Sequence, residues 1–298
     1  MKQHIFTGAG VAIVTPMHPD GSINFEKFGE LIDYQIEHKT DAIIVCGTTG
    51  ESAAMTEKEH VDCIAYTVKR VNGRVPVVAG AGSNDTAVAC ELSKEAKQIG
   101  ADALLHVTPY YNKTSQRGLV AHFTKVADAT DLPVILYSVQ SRTGVNIAPA
   151  TCKVLSEHPN IAAIKEASGN VSQVAQIRAL CGDDLDLYSG EDAIITPMLS
   201  LGGIGVISVL SNVLPEETHN ICQRFFDGDV AGSAALQLKY LDLINALFMD
   251  VNPVPVKDAM NLMGLDVGEC RLPLITMTGE QKEKLALVMK AAGLPVGV

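Results

Sequence analysis

A chain of 298 residues with 47% hydrophobic content, no tryptophan and no low-complexity block is expected to be a globular soluble protein. Its formal charge of −11 and pI near 5.1 exclude the basic patches that nucleic acids and anionic membranes select, which leaves small molecules as the expected partners. Seven cysteines (Cys46, Cys63, Cys90, Cys152, Cys181, Cys222, Cys270) lie scattered without a Cys-x-x-Cys pair and read as reduced residues of a cytoplasmic protein, and the first ten residues do not make a signal peptide.

Short aliphatic runs recur along the chain at Val11–Val14, Ala42–Cys46, Val75–Ala79, Ala103–Val107, Val134–Val139, Ile161–Ile164, Leu185–Tyr188 and Gly205–Val209. Between them, helical spacing marks Phe25–His38, Glu57–Val71, Thr86–Ile99, Gln116–Ala129 and Val171–Leu180, with Thr56 and Glu59 forming a capping box. Strands that are apolar throughout belong to a parallel sheet covered on both faces, and eight strand–helix units favour a closed (β/α)8 TIM barrel. The uncharged stretch 193–215 is long enough to span a bilayer, but Pro197 and the glycines at 202, 203 and 205 divide it into a buried helix, a turn and a strand. From about Pro215 the pattern is helical only, interrupted at Asn252-Pro-Val-Pro255 and restarted by a second capping box, Thr278 to Gln281. The expected organisation is therefore a catalytic barrel over 1–226 and a helical appendage over 227–298 packed against it.

Barrel chemistry sits at the carboxyl ends of strands. Lys165, inside Ile161-Ala-Ala-Ile-Lys-Glu-Ala167, puts an amine where solvation is worst. Burial favours its uncharged form, the nucleophile for Schiff-base formation on a carbonyl, while a strand-end lysine that snorkels to water or pairs with a carboxylate is the competing reading. Gly47-Thr-Thr-Gly-Glu51 after the second strand is either a tight turn or a nest of amides and hydroxyls for a carboxylate. Tyr110, Tyr111, Tyr137 and Arg142 cluster at neighbouring strand ends, and an arginine there suits bidentate carboxylate binding. The pair Glu191-Asp192 is read as starting a helix, without a catalytic part. Gly202-Gly-Ile-Gly precedes a strand and so fails the dinucleotide pattern. The eight histidines are dispersed, so neither a metal nor another cofactor is expected.

Together Gly47–Glu51, Tyr110-Tyr111, Tyr137 with Ser141-Arg-Thr-Gly144, Ile164-Lys-Glu-Ala167, Ser189-Gly190 and Gly205-Val-Ile-Ser208 resemble the dihydrodipicolinate synthase family, within the N-acetylneuraminate lyase superfamily of class I aldolases. The resemblance covers essentially the whole chain. It implies condensation of pyruvate with L-aspartate 4-semialdehyde through a Lys165 Schiff base, giving 4-hydroxy-tetrahydrodipicolinate for lysine and diaminopimelate biosynthesis. It further implies a proton relay of Thr48, Tyr137 and Tyr111, the last reaching into a neighbouring subunit of a homotetramer built as a dimer of dimers. Thr48 and Thr49 would hold the pyruvate carboxylate, Arg142 the semialdehyde carboxylate, and Gly190 and Ile207 would line the keto-acid pocket.

The chain departs from the family pattern at Ser138 and Gln140, where Asn and Pro are common, which predicts a softer loop behind Arg142. At the family's effector site Ser52, Ala53, His60, Asn84 and Tyr110 match lysine-sensitive members, whereas Glu57 and Val88 replace His and Glu, so an acceptor for the effector ammonium is missing at Val88 and lysine inhibition is expected to be weak or absent. Two alternatives stand beside this reading: a neuraminate or sugar-acid lyase of the same superfamily, and a non-catalytic keto-acid-binding barrel. Arg142 argues against the first, since a polyhydroxylated sugar calls for neutral donors and acceptors.

Overall fold

Strands buried along their entire length leave no solvated face for a sheet edge, and in this chain the edge is removed by closure. In the computed structural model, which describes residues 2 and 4–297, β1 (Gly8–Ala12), β2 (Ala42–Val45), β3 (Val77–Gly80), β4 (Ala103–Val107), β5 (Val134–Ser138), β6 (Ile161–Glu166), β7 (Asp186–Ser189) and β8 (Gly205–Ser208) pair in parallel and in sequence order around a closed barrel. The last pairing, Gly8 with Gly205, brings backbones so close that a Cβ on Gly205 would stand 2.1 Å from the Gly8 carbonyl oxygen. Glycine at that position is therefore a condition of closure.

Helices α1 (Phe25–Glu37), α2 (Glu57–Val71), α3 (Thr86–Ile99), α4 (Gln116–Ala127), α5 (Gln140–Thr143), α6 (Pro149–Ser156), α7 (Val171–Cys181), α8 (Ile195–Ser200) and α9 (Pro215–Phe226) fill the connections, and α10 (Val230–Lys239), α11 (Leu241–Ala246), α12 (Val254–Leu262) and α13 (Gly279–Ala291) follow. Both capping boxes form: Thr56 with Glu59 starts α2, and Thr278 with Gln281 starts α13. The stretch 193–215 resolves into α8, a glycine turn and β8, and no helix among the described residues is long and apolar enough to cross a membrane.

Side chains of alternate strand positions separate into two cores. The larger lies between strands and helices, and the smaller, including Ile44, Val78, Leu105, Ile135 and Ile207, fills the barrel. At the amino-terminal end Phe6 stacks on Tyr188 with ring centroids 4.4 Å apart, and the Tyr188 hydroxyl donates to the Phe6 carbonyl oxygen at 2.5 Å. That end is closed by packing, so the opposite mouth is the end open to chemistry. All seven cysteine thiols are free, six of them buried.

Several expected boundaries shift. The first strand was expected over Val11–Val14 and forms over Gly8–Ala12, because its position is set by pairing to β2 and β8 and not by its own side chains. The sixth strand runs past its apolar stretch to include Lys165 and Glu166, which pair with Tyr137 and Ser138 on one side and Tyr188 and Ser189 on the other.

Candidate active site

Strand alternation settles where Lys165 points. Ala163, two residues earlier on β6, belongs to the core inside the barrel, so Lys165 projects inward while Glu166 faces the helices. Lys165 is only 6% exposed, and its Nζ sits 4.3 Å from the centroid of the Tyr137 ring on the adjacent strand. Among the described residues it makes no salt bridge, though the buried Asp192 carboxylate is near enough to feel its charge, and its burial leaves it little route to open water. Glu166 instead accepts a hydrogen bond from Gln173 Nε2 at 2.8 Å, and burial pushes its carboxyl above the usual range. Gly190 lies against the lysine stem: a Cβ there would stand 3.1 Å from Lys165 Cγ and 2.6 Å from Ala167 Cβ. Ile207 lies in the barrel core with Tyr137.

The loop after β2 is both a turn and a nest. Cys46 and Glu51, at its two ends, take left-handed backbone conformations. The amides of Gly50, Glu51 and Ser52 are used within the loop, donating to Gly47 O, Thr48 O and Gly47 O at 3.1, 3.1 and 3.5 Å. Among the described residues the amides of Thr48 and Thr49 have no such partner, which leaves two adjacent donors for a bound carboxylate. Thr15 Oγ1 donates to Gly50 O at 2.8 Å and secures the loop to the segment after β1.

Glu51 fixes the loop from outside. Its side chain is 2% exposed and accepts from Lys257 Nζ at 2.8 Å and from the Arg271 amide at 2.9 Å. Lys257, also 2% exposed, donates in addition to Thr15 O and Glu269 O, so the buried ammonium has three oxygen partners. Arg271 in turn binds Glu59 through both terminal nitrogens, and its guanidinium holds the Glu59 carboxyl down to about 2. The appendage is thus bonded to the mouth, not only packed on it. The sequence carried a signal for Lys257, a lysine directly after the apolar run Val254–Val256, of the same kind that singled out Lys165.

Arg142 lies on the single turn α5 and donates through Nη2 to the Asn252 carbonyl at 3.1 Å. Thr143 Oγ1, beside it, accepts from Thr108 Oγ1 at 2.9 Å and donates to Val139 O at 3.2 Å, which ties the turn to β4 and β5. Ser138 is fully buried and donates to Asn146 Oδ1 while accepting from the Ile147 amide. Arg142 lines a cavity of about 590 Å³ together with Thr48, Val139, Tyr110 and Asn252. Ser52, Ala53, His60, Glu57 and Val88 line the same cavity. Asn84, expected with them, lines a separate cleft with Asn112 and His122. Tyr111 stands apart from Tyr137 in the single chain, 91% exposed and in a left-handed backbone conformation.

Glu191 and Asp192 stand where expected, at the start of a helical turn, Asp192–Ile194, that leads into α8. The Asp192 side chain also reaches the next strand end, where Oδ2 accepts from the amides of Val209 and Leu210 at 3.0 and 2.9 Å. Burial pushes its carboxyl up.

Comparison with known proteins supports the same assignment. The model of the dihydrodipicolinate synthetase family matches residues 5–292. A 4-hydroxy-tetrahydrodipicolinate synthase of Caldicellulosiruptor saccharolyticus is 56% identical over 294 residues, which cover 99% of this chain and 98% of the relative. A dihydrodipicolinate synthase of Cyanidioschyzon merolae, solved with lysine bound, superposes with a TM-score of 0.95 at 42% identity, covering 98% of this chain and all of the other. The chloride-inhibited enzyme of Acinetobacter baumannii, solved in complex with pyruvate, gives a TM-score of 0.95 at 40% identity over 98% of this chain and 100% of its own. A (β/α)8 barrel with a buried lysine aimed at its open mouth, matched along nearly its full length by these relatives, belongs to the dihydrodipicolinate synthetase family.

Proposed function

We propose that the protein is a class I aldolase-type lyase that condenses pyruvate with L-aspartate 4-semialdehyde to 4-hydroxy-tetrahydrodipicolinate, the reaction named for its relatives. The single observation that carries the reading is the inward-facing amine of Lys165, buried beside Tyr137 inside the barrel. The Lys165 amine adds to the keto carbon of pyruvate, water leaves, and the resulting iminium draws electrons from the methyl group, which gives up a proton to become an enamine. The enamine carbon attacks the semialdehyde aldehyde, whose oxygen takes up a proton. The amine of the second substrate then adds to the imine carbon, closes the ring and expels Lys165.

Thr48, Tyr137 and Tyr111 are the proposed proton relay, which moves protons at the mouth without a carboxylate base. Thr48 and Thr49 receive the pyruvate carboxylate, Gly190 and Ile207 shape the keto-acid pocket, and Arg142 receives the semialdehyde carboxylate. The exposure of Tyr111 fits a side chain completed by a second subunit, in a homotetramer built as a dimer of dimers. The barrel, 1–226, carries the chemistry, the region 227–298 braces its mouth, and the reaction takes place in the cytoplasm. Turnover of the semialdehyde with pyruvate, set against cleavage of sugar acids, tests the reading. Sugar-acid cleavage without semialdehyde turnover would replace it by the related lyase activity.

Two further outcomes follow from the mouth. Arg142→Ala should raise the KM for the semialdehyde about 10- to 100-fold, the worth of a charge-assisted hydrogen-bonded pair, and leave the pyruvate KM within about twofold. Steady-state kinetics with each substrate varied in turn checks this, and equal changes in both constants would remove Arg142 from its assigned place. In the same cavity lining, Val88 offers no acceptor to an ammonium group beside Ser52, Ala53, His60 and Tyr110, and Glu57 is a separate position of that lining. Low-micromolar lysine should therefore leave initial rates unchanged. Inhibition in that range would contradict the assignment.

A further inference from the structure

Asn252 bridges the two substrate positions by two different groups. Its side-chain Nδ2 donates to Thr49 Oγ1 at 3.0 Å, and its backbone oxygen accepts from Arg142 Nη2 at 3.1 Å. The residue is 5% exposed, and its Oδ1 is buried without a partner among the described residues. The opposite amide orientation would turn Oδ1 toward the Thr49 hydroxyl and leave an NH₂ group with two donors buried and unpaired, a larger penalty than one bare acceptor. With Nδ2 as donor, the Thr49 oxygen is occupied as an acceptor, and its own proton is left to point elsewhere.

We propose that Asn252 is a positioning residue for pyruvate: by donating to Thr49 Oγ1 it aims the Thr49 hydroxyl proton at the keto-acid carboxylate. This makes a third donor beside the free amides of Thr48 and Thr49. The inference rests on the proposed reading that the loop 47–51 receives that carboxylate. The same residue acts on the second substrate through its carbonyl alone, so side-chain substitution separates the two effects. The unpaired Oδ1 is consistent with this division, since the buried amide is retained for what its NH₂ group does.

The test uses the full chain and steady-state kinetics with both substrates. Asn252→Ala should raise the pyruvate KM about three- to tenfold, the range of one neutral hydrogen bond, with kcat at saturating pyruvate and the semialdehyde KM within about twofold. Asn252→Asp keeps the shape but presents an acceptor that captures the Thr49 proton, so its pyruvate KM should exceed that of the alanine variant. A merely structural role would not produce that order. In a Thr49→Val background, Asn252→Ala should add less than about a twofold change, because the two residues act as one unit. Full additivity, an aspartate variant milder than the alanine one, or equal shifts in both KM values would overturn the proposal. If Thr49→Val alone leaves the pyruvate KM unaltered, the Thr49 hydroxyl gives nothing to the carboxylate and this inference fails, while the reading of the two backbone amides stands.

Discussion

Lys165→Ala should lower kcat by roughly 10⁴- to 10⁶-fold, the scale of loss when a covalent nucleophile is removed from an otherwise intact site. The geometry leaves no substitute. Among the described residues Lys257 is the other deeply buried lysine, and its ammonium is held by Glu51, Thr15 and Glu269 outside the barrel core. Lys165→Arg is the sharper variant, because it keeps a long nitrogen-bearing side chain by the Tyr137 ring but supplies no amine that can attack a carbonyl. Both variants should remain folded, since the lysine makes no salt bridge whose loss would expose a partner. Turnover within tenfold of the parent enzyme for either variant would take Lys165 out of the mechanism.

The second large effect concerns stability. Lys257→Met should cost about 3–5 kcal/mol, because it leaves the Glu51 carboxylate buried with only the Arg271 amide as partner. Restoring neutrality with Glu51→Gln in the same chain should recover a good part of that loss. An exposed pair such as Lys58 with Asp62 provides the contrast, worth no more than about 1 kcal/mol on removal. Urea unfolding at fixed protein concentration reads both. A Lys257→Met loss comparable to that of the Lys58 pair would mean that the buried bridge does not brace the mouth. Since Glu51 ends the loop that carries Thr48 and Thr49, the same variant should also raise the pyruvate KM.

Much of the barrel was legible because parallel strands announce themselves as apolar runs and the intervening helices as 3.6-residue patterns. Glu57–Val71, Thr86–Ile99 and Ala103–Val107 fall where the residues alone place them, because caps and periodicity agree there. β1 was displaced because Gly8, Ala9 and Gly10 have little strand preference of their own. What makes them a strand is the requirement for small residues where the barrel closes. β6 was shortened in the reading because Lys165 and Glu166 end the apolar run, although the backbone ladder continues through them.

For the candidate site, the sequence proposes residues but not what supports them. Thr49 meets Asn252, and Glu51 meets Lys257, across more than two hundred positions, a separation that no local pattern encodes. Asp192 illustrates the same limit from the other side, since its type signals a helix start while only the fold reveals that its carboxylate also binds the amides of Val209 and Leu210. Asn84, grouped with Ser52 and His60 by resemblance, opens onto a different cleft because it lies beyond the end of β3 and is bonded through its carbonyl to Asn112. Asn252 stood out in the sequence only as the start of a helix-breaking segment.

The most direct measurement is reductive trapping. Incubation of the protein with pyruvate and borohydride, followed by peptide mass spectrometry, should place one reduced pyruvyl adduct on the peptide that contains Lys165 and none on Lys165→Arg. An unmodified Lys165 under conditions of full turnover, or an adduct carried by a different lysine, would contradict the account.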